Sequence, residues 1–163
     1  THGSLSLGNV IVEHDLLLAA SSNRSFGKRL DTIIKSIPAQ LKINRAGDDV
    51  LDSLITMLHK NRVDVLLGYP DEQLYLAQQL GFLDEIVIFS IDEAPPYSVG
   101  YIGCSHNELG MEHIKQLDHA LLNIYPLKEY YHILTRWLPE QFHVELIKSL
   151  QQEVSQYGVI VTP

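Results

Sequence analysis

Ser22-Asn23-Arg24-Ser25-Phe26-Gly27, lying between the apolar run Leu16–Ala20 and an amphipathic segment, concentrates groups that hold small anions. Arg24 carries a planar fork of N–H donors that matches a carboxylate or a phosphate, and Ser22, Asn23 and Ser25 add hydroxyl and amide groups. A loop that leaves a parallel strand and opens a helix also presents free backbone N–H groups and the positive end of the helix dipole. A plainer reading stays open, in which Asn23 or Ser25 is an N-cap and Arg24 a solvated surface residue. The second stretch of interest is Gly68-Tyr69-Pro70-Asp71-Glu72, which reaches the same sheet edge if its strand runs parallel to the first. There Tyr69 can stack on a ligand or donate a hydrogen bond, and Glu72 can meet a cation; the alternative is a helix start with a dipole-favoured acid.

Other chemistries find less support. His106, His113 and His119 are seven and six residues apart, which keeps them from forming an i, i+4 pair on one helical face, and there is no HExxH and no cysteine pair. No metal and no other cofactor is expected. Cys104 precedes His106 by two residues, a spacing that puts a thiol and a base on one face of a strand, against the plainer reading of a buried cysteine beside a helix-start histidine. No GxSxG, P-loop or GxGxxG motif accompanies them, so the expectation is a protein that is not an enzyme.

The elements that must position these residues follow from periodicity. Leu16–Ala20 reads as a buried strand; Phe26, Leu30, Ile33, Ile34 and Ile37 then fall at helical spacing, closed by Pro38. Residues 41–44 suit a short strand, and Leu51, Leu54, Ile55 and Leu58 predict a helix over about 48–60. "VDVLLGYP" is apolar on both faces, as parallel strands are, and Pro70 and Gly81 bracket the next helix. With a strand at 86–91, the alternation predicts an α/β unit whose sheet is largely parallel. Beyond Pro95-Pro96 the character changes. A last strand is expected over 97–105, followed by helices carrying Ile114, Leu117, Leu121 and Ile124, then residues 130–138, then 142–157.

The totals narrow the class of partner. The chain has 163 residues and a formal net charge of −8, without a basic run, which argues against nucleic acid. Its apolar runs fall far short of the roughly 20 residues that a membrane-spanning helix needs, so no membrane insertion is expected. The first residues lack the basic and apolar regions of a secretory signal, so one was either never there or has been removed. A single cysteine excludes an internal disulfide and leaves the compartment open.

Taken in order, "LLLAASSNRSFGKRLDTII", "LDSLITMLHKNRVDVLLGYPDEQLYLAQQL", "YSVGYIGCSHNELGMEHIKQLDHALLNIY" and "LTRWLP" resemble the second half of a type 2 periplasmic solute-binding protein. They resemble in particular the less characterised relatives of the extracellular amino-acid-binding family. Arg62-Val63-Asp64, the strand and Gly68 are similar to that family's "mL..gRvDv..g" segment, and "YIGCSHNELG" is similar to its return to the first lobe. The resemblance implies that residues 15–96 are one lobe of the fold, a largely parallel sheet with flanking helices. Residues 97–106 would be a crossover strand, and the all-helical tail 107–163 would pack on a first lobe that this chain mostly lacks.

It further implies a periplasmic protein, with a signal peptide in its precursor, that binds a small solute without cofactor. Such a protein serves an ABC-type membrane permease or a sensor kinase. Ser22, Asn23, Arg24, Ser25 and Phe26 match the loop that receives an anionic ligand group, and Tyr69 stands where amino-acid binders carry an Asp for the ligand's ammonium. That departure speaks against an α-amino acid. The alternative function is an isolated or degenerate lobe that acts as a protein-interaction or sensor domain with no small ligand. With its first lobe missing, the tail is expected to expose apolar stripes and either to drive self-association, most simply as a homodimer, or to refold onto the α/β half.

Overall fold

The computed structural model describes residues 4–47, 49–95, 97, 98 and 100–156. The chain divides into two compact units, Thr1–Pro95 and Pro96–Pro163. The first is mixed α/β, and the second contains only helices among its regular described elements.

In chain order the first unit comprises β1 (Ser4–Leu5), α1 (Leu7–Glu13), β2 (Leu18–Ser21), α2 (Lys28–Ser36), β3 (Lys42–Arg45), α3 (Val50–His59), β4 (Val65–Leu66), α4 (Pro70–Leu80) and β5 (Ser90–Ile91). β2 lies between β3 and β4, parallel to both, with Leu18 opposite Lys42 on one side and Val65 on the other. β1 and β5 form a separate parallel pair, Ser4 opposite Ser90 and Leu5 opposite Ile91. The sheets are therefore parallel, as the sequence predicts, but divided in two.

Alternation along β2 sorts its side chains between two layers of helix. Leu18 and Ala20 join Leu7 and Ile11 of α1, Leu30 of α2, Ile37 and Leu67 in one cluster. Ala19 points the other way, against Leu54 of α3 and Val63. A third cluster, Ile55, Ala77 and Phe82, fastens α4 to α3. Helices on both faces explain why "LLLAA" and "VDVLL" carry no polar alternation.

The helix ends follow local chemistry. α2 stops before Pro38, whose ring holds the preceding Ile37 extended at ψ 132°. α4 begins with Pro70 at its first position and ends on Gly81, whose φ of 83° is the left-handed conformation that closes a helix.

Several sequence-based expectations are corrected. β1 and α1 precede residue 15 and belong to the α/β unit, which the expected boundary leaves out. Among the described residues, only Ser90–Ile91 of the expected strand 86–91 is paired, with Ser4 and Leu5. The described residues of 97–106 form no strand: a strand exists only where a partner completes its hydrogen bonds, and none is found among the described residues. Asp48 and residues 157–163, at the ends of two expected helices, lie outside the described residues.

The second unit contains α5 (Glu108–Ile124), α6 (Lys128–Thr135) and α7 (Glu140–Ser155). Asn107 caps α5, its side-chain oxygen accepting from the Gly110 N–H at 2.8 Å. Gly110 is obligatory at that turn, since a Cβ there would stand 1.9 Å from the Ser105 carbonyl oxygen. Tyr97 donates a hydrogen bond to Glu153 of α7 at 2.9 Å, tying the start of this unit to its last helix. Of the α5 stripe, Ile114 and Leu121 are half-buried, whereas Leu117 and Ile124 are exposed. Leu109, Ile133 and Val144 are each at least 60% exposed. No helix among the described residues is long and apolar enough to cross a membrane.

Candidate functional site

The strand order β3-β2-β4 determines where a site can form. From β2 the chain passes through α2 to β3 on one side, and from β3 it crosses through α3 to β4 on the other. The connections leaving β2 and β4 therefore diverge, and the loops at the carboxyl ends of these two strands flank the point where the order reverses. In open parallel sheets that point is the crevice where ligands bind. Residues 22–27 follow β2 there, and residues 67–69 follow β4.

Four of the seven residues singled out from the sequence meet at this point. Arg24 reaches across to the first turn of α4, where Nη1 and Nη2 donate to Oε2 and Oε1 of Glu72 at 2.5 and 2.7 Å. The planar fork is thus filled by a carboxylate in bidentate geometry. The guanidinium also lies 4.6 Å from the centre of the Tyr69 ring, a cation–π contact, and Phe26 tilts against the same ring at 6.1 Å. Glu72 holds the guanidinium more firmly protonated than usual, first through its hydrogen bonds and then through its charge, against the opposing effect of burial. Both partners keep contact with solvent, with 27% of the Arg24 side chain and 35% of the Glu72 side chain exposed.

Ser25 turns away from this group. Its hydroxyl donates to Asp31 Oδ2 at 2.5 Å and accepts from the Gly27 N–H at 3.2 Å, while the Phe26 N–H donates to Asp31 Oδ1 at 2.9 Å. Those bonds, that from Ser25 foremost, draw the Asp31 carboxyl below the usual carboxylate range. Ser25 is thus bound up in holding the loop. Neither Asn23 nor Ser25 is the N-cap, a place taken by Gly27. Ser22 and Asn23 are exposed; the Ser22 backbone N–H extends the β2–β3 ladder to the Arg45 carbonyl at 2.8 Å, and neither side chain makes a hydrogen bond among the described residues.

Compared with family models, curated proteins and solved structures, the chain shows no significant match.

Two residues that the sequence reading passed over shape the site. Gln73, buried next to Glu72, donates to the Leu66 carbonyl at 3.3 Å and closes the end of β4. It lies so close to Gly68 that a Cβ there would stand 2.6 Å from Gln73 Nε2, so a side chain at 68 has to push the Gln73 amide aside. Asp31 is the other, and an acid in the first turn of a helix is the signal that would have pointed to it.

Elsewhere, a hollow of about 400 Å³ at the start of α5 takes in His106, Asn107, Glu108 and Met111 but none of the site residues. Cys104 is exposed rather than buried. No group of three or more His, Cys, Asp or Glu among the described residues is arranged to hold a metal ion.

Proposed function

We propose that this chain is part of a non-enzymatic, type 2 periplasmic solute-binding protein, and that Arg24 receives an anionic group of a small solute. The observation that carries the reading is the meeting of Arg24 and Tyr69, from loops following two neighbouring parallel strands, at the switch point of the sheet. Arg24 donates to both oxygens of the Glu72 carboxylate there with its face supported by an aromatic ring, as a receptor for a carboxylate-bearing solute would. On this reading Phe26 and Tyr69 contact the apolar body of the solute. Ser25 and Asp31 hold the loop, and a permease or sensor in the membrane reads the closure around the ligand.

A second reading is a lobe that engages another protein and has no small ligand. The exposed Leu109, Ile133 and Val144 of the helical unit favour it.

Titration of the chain with a panel of small mono- and dicarboxylates, followed by the amide NMR shifts of residues 22–27 and 67–73, tests the first reading. Arg24→Ala is expected to weaken binding by about 1.5–3 kcal/mol, the contribution of charge-assisted hydrogen bonds. It should shift folding stability by about 0–1 kcal/mol, because the ion pair it breaks is partly solvated. Equal affinity of the variant and the parent chain removes Arg24 from any binding site.

A further inference from the structure

We infer that Glu72 is an internal occupant of the Arg24 fork, standing where a solute carboxylate is received and moving aside when one binds. The inference rests on the solute-binding reading and adds a competitor to it. Its basis is the geometry of the two partners. Both Glu72 carboxylate oxygens are engaged, one on each terminal nitrogen of the guanidinium, which is the arrangement that a free carboxylate adopts on arginine.

The two sides of the pair are held unequally. Arg24 is stacked on Tyr69, and its loop is anchored by the Asp31 bonds to Ser25 and Phe26. Glu72 is gripped only through Arg24 among the described residues, with three rotatable side-chain bonds and an exposed neighbour, Asp71, on the same turn. When the pair opens, Arg24 stays in place and Glu72 swings into solvent, where the α4 N-terminus still favours its charge.

The energy scale permits the exchange. A pair this open to water, but bidentate, contributes about 1 kcal/mol, the upper end for exposed pairs. An incoming carboxylate therefore has to overcome a competitor worth about a fivefold change in affinity, the equivalent of that energy. Until it does, the fork is neutralised, which discourages weakly held anions such as chloride. A carboxylate that also contacts Phe26 and Tyr69 has the additional binding energy needed to displace Glu72.

The test uses the full 163-residue chain and acetate as probe, with ionic strength held constant by chloride and binding read from NMR shifts. Glu72→Gln should tighten acetate binding about fivefold, and the gain should vanish in the double variant Arg24→Ala/Glu72→Gln. Glu72→Ala repeats the test without an amide that could itself bond Arg24. Asp71→Asn makes the same change of charge one residue away and should alter affinity less than about twofold.

No tightening in either Glu72 variant overturns the inference and leaves the residue a strut between two loops. An equal gain in Asp71→Asn also overturns it, since bulk charge would then explain the effect. The solute-binding reading fails separately: if the Glu72 variants gain acetate through Arg24 but no carboxylate of the panel binds the parent chain, the masking stands and the receptor does not.

Discussion

The substitution Glu93→Gln tests how the first unit is closed. Glu93 accepts a hydrogen bond from the Ser6 hydroxyl at 2.6 Å and another from the Leu7 N–H at 3.1 Å, holding the start of α1 from 87 and 86 residues away. Next to it β1 pairs with β5, and the Asp92 N–H donates to the Leu5 carbonyl at 2.9 Å. These contacts dock α1, whose Leu7 and Ile11 are buried in the core. A hydrogen bond to a charged group contributes about 1.5–3 kcal/mol, and partial exposure puts Glu93 at the lower end. The glutamine amide can still serve one of the two donors, so the expected loss is about 1–2 kcal/mol at pH 7.

The pH dependence carries a sign of its own. Burial acts to raise the Glu93 carboxyl, but the bonds from Ser6 and Leu7 and the charge of Arg29 outweigh it, so the group titrates below its ordinary value of 4.5. Its contribution is therefore present in full above that value and is lost as the pH falls through the lower, folded-state one. Urea unfolding of parent and variant between about pH 7 and pH 3 supplies the measurement. The gap in stability should stay constant down to about pH 5 and then close. A gap absent at neutral pH, or one that persists unchanged at the acid end, refutes the assignment of Glu93 as the anchor of α1. Asp31 also titrates low, but it is present in both chains and cancels from the difference.

Two further substitutions probe the close approaches of glycine. Gly68→Ala displaces the amide end of Gln73 and breaks its bond to the Leu66 carbonyl, for an expected loss of about 1–3 kcal/mol in urea unfolding. Combining it with Gln73→Ala should make the two effects clearly non-additive, whereas strict additivity would mean that the residues do not interact. Gly110→Ala drives a methyl group into the Ser105 carbonyl and dislodges the Asn107 cap, so the first turn of α5 should unwind. Loss of amide protection over residues 107–112 in hydrogen exchange checks this, and unchanged protection would show that the turn accommodates a side chain.

The parts of the molecule legible in the chain are those whose causes are local. The spacing of Leu30, Ile33 and Ile37 and of Leu54, Ile55 and Leu58, with Pro38, Pro70 and Gly81 as punctuation, determines α2, α3 and α4 almost to their ends. Apolar runs with no alternation were enough to announce parallel strands covered on both faces, and from them the two loops that carry Arg24 and Tyr69. A seven-residue helix such as α1 repeats its pattern too few times to stand out, and Glu93, which anchors its start, is 86 residues away from Leu7.

Strand pairing is likewise a property of two segments, so the β propensity of 86–91 and 97–105 could not reveal that, among the described residues, only Ser90–Ile91 finds a partner. The same holds at the site. Residue type identified Arg24 as a carboxylate receptor and Glu72 as an acid able to meet a cation, but not that they meet each other. Their separation is 48 residues, and only the reversal of strand order at β2 and β4 brings their loops together. Ser25 is drawn off to Asp31 for a comparable reason: which of several hydrogen-bond partners a hydroxyl takes depends on where the folded backbone places them.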